Sequence, residues 1–226
     1  AERGRKRDRK ELQGKLKNFL FIKFGLLDPT PVIMACLPFF RFLFNRWGGI
    51  LWGIVILLGL KAAGENWEQL WDQTEGLLAP SNLFLLYVCG VGAKAWHELG
   101  HGLICRYLGG EVRTLGVMLL IFTPLPYIDA TSSWGFSNKW HRILVSGAGM
   151  IFEFFLAALA LIVWANTSEG AINAAAYNLI VIASVTTFLF NINPLLRFDG
   201  YYILCDWIEV ANLGQRANKH IKFLTE

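Results

Sequence analysis

The run from Ile172 to Leu196 contains no Asp, Glu, Lys or Arg over twenty-five residues. About 20 consecutive apolar residues in a helix match the hydrocarbon thickness of a bilayer. A chain with such a run is expected to fold in lipid. Composition agrees, with 54% hydrophobic and 17% charged residues and a mean hydropathy of +0.42. Soluble domains carry about 25% charged residues. Disordered chains combine low hydrophobicity with high net charge. Neither class fits. The 17 Phe and 9 Trp suit lipid contact and interfacial belts.

Three further segments read as spans. Ile143 to Ala165 holds one charge, Glu153. Ser81 to about Leu108 begins apolar but encloses Lys94, His97, Glu98 and His101. Trp47 to Lys61 is shorter, and Phe42–Arg46 extends it with Arg46 snorkelling. Pro31–Phe44 is apolar but interrupted by Pro38 and Arg41, which suits a half-buried interfacial helix. The expected fold is therefore an all-α integral membrane protein with about four transmembrane helices. Residues 1–46 form a basic cytoplasmic tail and interfacial helix, 47–208 the membrane domain, and 209–226 a cytoplasmic tail or linker. Gly109–Ser133 stands apart. Val112 to Phe122 is rich in β-branched and apolar residues, and Thr123-Pro124-Leu125-Pro126 breaks it. A β-hairpin or re-entrant piece shielded by helices is expected there.

Basic residues concentrate in cytoplasmic loops of membrane proteins. Residues 1–17 hold eight basic and three acidic residues. The first loop, 61–80, has Lys61 against Glu65, Glu68, Asp72 and Glu75, so it falls outside. The connection 106–142, with Arg106, Arg113, Lys139 and Arg142, falls inside. The loop 166–171 has only Glu169 and falls outside; the tail after Arg197, with Arg216, Lys219 and Lys222, falls inside. Four crossings with both termini cytoplasmic satisfy every loop. The basic tail reads as a solvated juxtamembrane segment. It has no aromatic before Phe19, so nucleic acid is not an expected partner. No secretory signal fits the N-terminal pattern. Cys36, Cys89, Cys105 and Cys205 form no C-x-x-C pair and read as small packing residues.

His97-Glu98-Leu99-Gly100-His101 is H-E-x-x-H. Residues four apart on a helix share a face, so two imidazoles there can hold Zn²⁺ at about 2.0–2.1 Å. Glu98 lies beside them, placed to act on water rather than as a ligand. Ionisable residues at membrane depth are costly and point to function. A catalytic zinc needs a third protein ligand and an open position. Glu153, Asp129 and Asp199 are the candidates. The histidines lie sixteen and twenty residues into a span that starts outside near Ser81. At 1.5 Å per residue that is about 24–30 Å down, towards the cytoplasm. Asp199 follows the cytoplasmic end of the charge-free span, so it approaches the same depth. Gly200 lets the chain turn sharply after it, and Pro194 loosens the helix before it.

H-E-x-x-H in one transmembrane helix, with Asn191-Ile192-Asn193-Pro194 leading to Asp199-Gly200 at the end of a later one, resembles the site-2 protease family of intramembrane zinc metalloproteases. The resemblance covers about residues 80–205 and is nearest a divergent subgroup of peptide zinc metalloproteases. It implies a three-helix core, with His97, His101 and Asp199 as zinc ligands and Glu98 as general base. Asn191 matches the family Asn and is a candidate oxyanion donor. Met150 and Glu153 stand where the family's middle helix has Pro and Asn, and Leu196 stands where it has a second Pro. A bacterial inner membrane is the location the resemblance implies.

Glu153 either faces the zinc site, in contact with substrate or water, or pairs with a buried donor such as Lys94. Lys94 also lies four residues before Glu98, so a Lys94–Glu98 pair is open. Asp129 either caps a turn or lies near the site. Asn193 and Gly200 flank the Asp ligand, within reach of substrate or of the ligands. His141, after Lys139-Trp140, reads as a headgroup contact, and Asn166-Thr167-Ser168 is a formal sequon in a short loop. The leading reading is a zinc endopeptidase acting on a membrane-embedded peptide or protein. A zinc-binding scaffold or export-complex component in a larger membrane assembly is the second. A transporter is the third, and no internal repeat supports it.

Overall fold

The computed structural model describes residues 21–120, 123–217 and 223. The basic tail at 1–17, and Lys219, His220 and Lys222, lie outside them. The described chain is mostly helical. In order come strand β1 (Phe21–Leu27), helix α1 (Thr30–Arg41), a 3₁₀ turn (Phe42–Phe44), α2 (Arg46–Glu65) and the short α3 (Trp67–Asp72). Then follow α4 (Leu83–Tyr107), β2 (Leu115–Leu120), β3 (Thr123–Ile128), α5 (Lys139–Ala165), α6 (Ala171–Val185), a π-turn (Thr186–Asn191) and α7 (Asp199–Trp207).

Three of these helices are long and apolar enough to cross a membrane: Arg46–Glu65, Lys139–Ala165, and Ala171–Asn191 with its π-turn. Helix α4 matches them in length, but Lys94, His97, Glu98, His101 and Arg106 set its composition apart. Caps explain two of the starts. Asn45 is extended and its Oδ1 accepts from the N–H groups of Trp47 (2.8 Å) and Gly48 (3.0 Å). Asn138 Oδ1 accepts from Trp140 N–H at 2.9 Å. Each satisfies donors that the first helical turn leaves free. Helix α1 continues through Pro38, which the sequence marks as an interruption. The ring lies on the exposed face while Ile33 and Phe40 face inwards.

Helix α5 is central, packing against α2, α4, α6 and α7. Its Phe152 joins Ile33, Phe40, Trp52, Leu103 and Val145 in the main core. A second cluster, with Trp164, Tyr177 and Ile180, sits at its other end beneath Leu70 and Leu77. There Gln73 accepts from Trp164 Nε1 at 2.7 Å, and Asn82 and Asn178 exchange reciprocal amide bonds at 2.9 Å. Helix α2 turns Ile50, Leu51, Ile54, Leu57, Leu58 and Leu60 outwards. Its inner face includes Gly59, where a Cβ would lie 2.8 Å from Ala158 Cα. Glycine there lets α2 and α5 approach backbone to backbone, as small residues do between membrane helices.

The segment expected as a hairpin or re-entrant piece is a hairpin. β2 and β3 pair antiparallel from Leu115↔Ile128 to Leu120↔Thr123. Strand β1 is the element that the reading of 1–46 as tail and interfacial helix does not contain. It pairs antiparallel with β2, Phe24 opposite Val117, and makes the sheet three-stranded in the order β1-β2-β3. The pairing joins residues 88 (Leu27↔Leu115) to 99 (Phe21↔Leu120) positions apart. Local pattern in Phe21–Leu27 carries no record of such a partner.

Gly59→Val should destabilise the fold by about 1–3 kcal/mol, the usual cost of forcing extra carbons into a packed interface. Gly53→Ala, where an added Cβ meets nothing within 4 Å, should not. Thermal unfolding in detergent, read by a thiol-reactive dye at the buried Cys89 and Cys105, measures both.

Candidate metal centre

Helix α4 runs unbroken through the motif, so His97 and His101 stack one turn apart, ring centroids 4.7 Å from each other. Asp199 is the first residue of α7, which packs on α5. Their atoms converge. His97 Nε2 lies 2.9 Å from His101 Nε2 and 3.1 Å from Asp199 Oδ2, and His101 Nε2 lies 3.5 Å from the same oxygen. Tetrahedral Zn²⁺ with bonds of about 2.0–2.1 Å holds its ligand atoms about 3.3–3.4 Å apart. The observed triangle brackets that spacing.

The tautomers point the same way. His101 Nδ1 lies 2.7 Å from Val145 O. A carbonyl only accepts, so in the neutral ring the proton is on Nδ1 and Nε2 keeps its lone pair. His97 Nδ1 faces Glu153 Oε1 at 3.3 Å, a second acceptor. Both Nε2 atoms are turned on each other and on a carboxylate oxygen. Asp199 Oδ2 is buried with no hydrogen-bond donor. With their lone pairs free, three acceptors aimed at one point repel unless a cation or a shared proton lies between them. With its carboxylates ionised, the surrounding set of Glu98, Glu153, Asp199 and Lys94 carries a formal charge of −2, which a divalent ion neutralises. Two imidazoles and a carboxylate suit a first-row divalent metal.

Space for the ion comes from Gly149. A Cβ there would lie 2.3 Å from His97 Nε2 and 2.6 Å from His101 Nε2. In sequence Gly149 is visible only as the head of the middle-helix element; the open space over the imidazoles appears in three dimensions. Nearby, Gly100 would put a Cβ 2.8 Å from Phe152 Cγ, so α4 and α5 meet closely beside the histidines.

Glu98 stays outside the triangle. Lys94 Nζ is 2.6 Å from its Oε1, and Ile128 N–H donates to its Oε2 at 2.8 Å. The Lys94–Glu98 alternative is thus the one formed, and Lys94 is not the partner of Glu153. The Ile128 contact comes from the end of β3, whose Pro124 carbonyl also faces α4 and accepts from Tyr87 Oη at 3.4 Å. No local feature of the sequence marks Ile128 as a partner of Glu98.

Glu153 faces the site, and it is 2% exposed. Its carboxylate also accepts from Thr187 Oγ1 at 2.5 Å and from Asn191 Nδ2 at 2.9 Å. Asn191 is therefore brought to the cluster, but its amide is turned onto Glu153, not held free for an oxyanion. Asn193 lies away from the triangle, its Oδ1 accepting from Leu195 N–H at 3.0 Å. Asp129 takes its bland role and closes a turn, accepting from Thr131 N–H (3.1 Å) and Oγ1 (2.7 Å). Gly200 does not make a sharp turn. It is the second residue of α7, and its φ is not in the left-handed region that favours glycine. Its role is close approach, because a Cβ would lie 2.4 Å from Ile192 O.

Two ion pairs tie α7 to the start of α5. Arg142 Nε meets Asp206 Oδ1 at 2.6 Å, and Lys139 Nζ meets Glu209 Oε1 at 2.9 Å. The Lys139 ammonium holds the Glu209 carboxyl below its usual range. Both pairs anchor the C-terminal end of α7, whose first residue is Asp199.

Comparisons with protein-family models, curated proteins and solved structures return no match.

Gly149→Ala should abolish high-affinity divalent binding while leaving the helical content unchanged. Elemental analysis of chelator-treated, zinc-reloaded protein should read about one zinc per parent chain and close to none in the variant.

Proposed function

We propose that this protein is an intramembrane zinc endopeptidase that hydrolyses peptide bonds of transmembrane or membrane-associated substrates. The observation that carries the reading is the convergence of His97 Nε2, His101 Nε2 and Asp199 Oδ2 on one buried point, with Glu98 one residue from the first ligand. The resemblance of H-E-x-x-H and Asn191…Asp199-Gly200 to site-2 proteases supports the same chemistry. In this reading α4 is a fourth crossing, α4, α5 and α6 form the core, and both termini are cytoplasmic. The loop charges support that orientation, and the resemblance supports placement in a bacterial inner membrane.

Bound Zn²⁺ would supply a Lewis acid, which lowers the pKa of water towards about 7 and polarises a peptide carbonyl. The chain's own groups do the rest. Glu98 takes the proton of the attacking water and returns it to the leaving amine. Lys94 and the Ile128 N–H hold its carboxylate in place between the α4 turn and the hairpin. The substrate backbone must be extended at the cut, because a helical amide is shielded by its own hydrogen bonds.

A second reading has a specific observation in its favour. Both Glu98 oxygens are engaged, and the Asn191 amide is committed to Glu153. A site so tied suits a zinc-binding scaffold within a larger membrane or export assembly.

Glu98→Gln separates the two. Single-span test proteins co-reconstituted with the enzyme in proteoliposomes report cleavage by gel and mass spectrometry. The peptidase reading expects the parent to cut and the variant to lose at least about 100-fold, with zinc content unchanged. A zinc-loaded parent that cuts none of a broad panel would favour the scaffold.

A further inference from the structure

A buried carboxylate next to a histidine usually has one of two functions, to balance charge or to orient the ring. The two oxygens of Glu153 are used differently. Oε2 accepts from Thr187 Oγ1 and from Asn191 Nδ2 at 2.9 Å. Oε1 lies 3.3 Å from His97 Nδ1, an ion-pair contact, and that buried nitrogen has no hydrogen-bond partner. Thr186 Oγ1 also lies 3.1 Å from Oε1, but its single proton has a shorter partner in Ile182 O at 2.8 Å. The two donors on Oε2 therefore leave Oε1 to His97.

Both firm donors come from the π-turn. Ile192 N–H bonds Thr187 O at 2.9 Å, the five-residue spacing of a π-helix. Thr187 and Asn191 are 1% and 5% exposed, so the widened turn directs two of its three polar side chains firmly onto one buried carboxylate. π-turns inside α-helices recur at functional sites.

We propose that Glu153 is the positioning residue of the metal centre: held by Thr187 and Asn191, its carboxylate keeps the His97 proton on Nδ1 and so presents Nε2 to a divalent cation. Partners of this kind on ligating histidines fix the tautomer and strengthen the ligand. The inference rests on the metal-centre part of the proposed function and not on proteolysis. It has a specific chemical consequence for Glu153→Gln. Thr187 and Asn191 donate at the Oε2 position, so the Gln carbonyl goes there. The Gln amide then faces His97 Nδ1 as a donor. The ring is driven to the Nε2–H tautomer, whose proton occupies the ligand position.

The test uses full-length protein in detergent with Zn²⁺ as the probe. Chelator competition should give Glu153→Gln a Kd about 10–100-fold weaker than the parent, with one zinc still bound at saturation. In zinc-free, ¹⁵N-histidine-labelled protein, His97 should read as Nδ1–H in the parent and as Nε2–H in the variant. Thr187→Val removes one donor from Oε2 and should weaken the Kd by about 2–10-fold, the worth of one hydrogen bond. Asn178→Leu, equally buried but distant from the site, should lower thermal stability and leave the Kd unchanged. Parental Kd and tautomer in folded Glu153→Gln, or parental Kd in Thr187→Val if the first variant does not fold, would overturn the inference. A parent without zinc affinity would overturn the metal centre itself, and the inference with it.

Discussion

Apolar helices tolerate few ionised groups, and this fold gathers its costliest ones in one place. Glu98, Glu153 and Asp199 lie within the bundle with a single ammonium, Lys94, among them. An ion taken out of water loses several kcal/mol of hydration even after relaxation. Unbalanced carboxylates at such depth would therefore dominate the energetics. Around them the chain supplies donors wherever its own groups can. Lys94 and Ile128 N–H serve Glu98, and Thr187 and Asn191 serve Glu153. Asp199 Oδ2 and His97 Nδ1 are the exceptions, buried without a hydrogen-bond partner, and the two Nε2 atoms meet only each other and Asp199. The unmet groups are therefore all on the His97–His101–Asp199 cluster.

Several features of the backbone follow from that demand. Gly149 keeps α5 bare where the imidazoles need space, and Gly200 lets the start of α7 press against the chain that leaves the π-turn. The Arg142–Asp206 and Lys139–Glu209 pairs fix the far end of α7 to α5. Asp199 is thus carried by a nine-residue helix anchored at its far end rather than by a loose loop. Rigid placement matters for a metal, since ligands held near the bonding geometry need little rearrangement to close on it.

The site was legible in the sequence to the extent that local rules fix it. His97 and His101 follow from helical spacing alone. Asp199 follows from depth, because two apolar spans with known ends bring their polar residues to one level. The helices are legible for the same reason, as apolar length and the Asn45 and Asn138 caps act over a few residues. What escaped depends on side-chain direction or distant pairing. Asn191 was found, but its amide points at Glu153. Asp129 was weighed for the site, yet its oxygen closes its own turn with Thr131. Strand β1 required a partner 88 to 99 residues away, and Thr187 in a charge-free span looked like any small polar residue.

The departures from the site-2 protease pattern are consistent with one another once Glu153 is placed. A neutral Asn at that position needs no particular surroundings beyond a hydrogen bond. A carboxylate needs donors, and it can orient a histidine more strongly through its charge. Thr187, Asn191 and the π-turn supply those donors from the facing helix. A middle helix without the family Pro runs straight through Met150, so the Glu153 side chain stands one turn beyond Gly149 on the face that meets the histidines. Glu153, Thr187, Asn191 and the π-turn therefore act as one unit, in which a carboxylate held by two donors stands behind the first histidine.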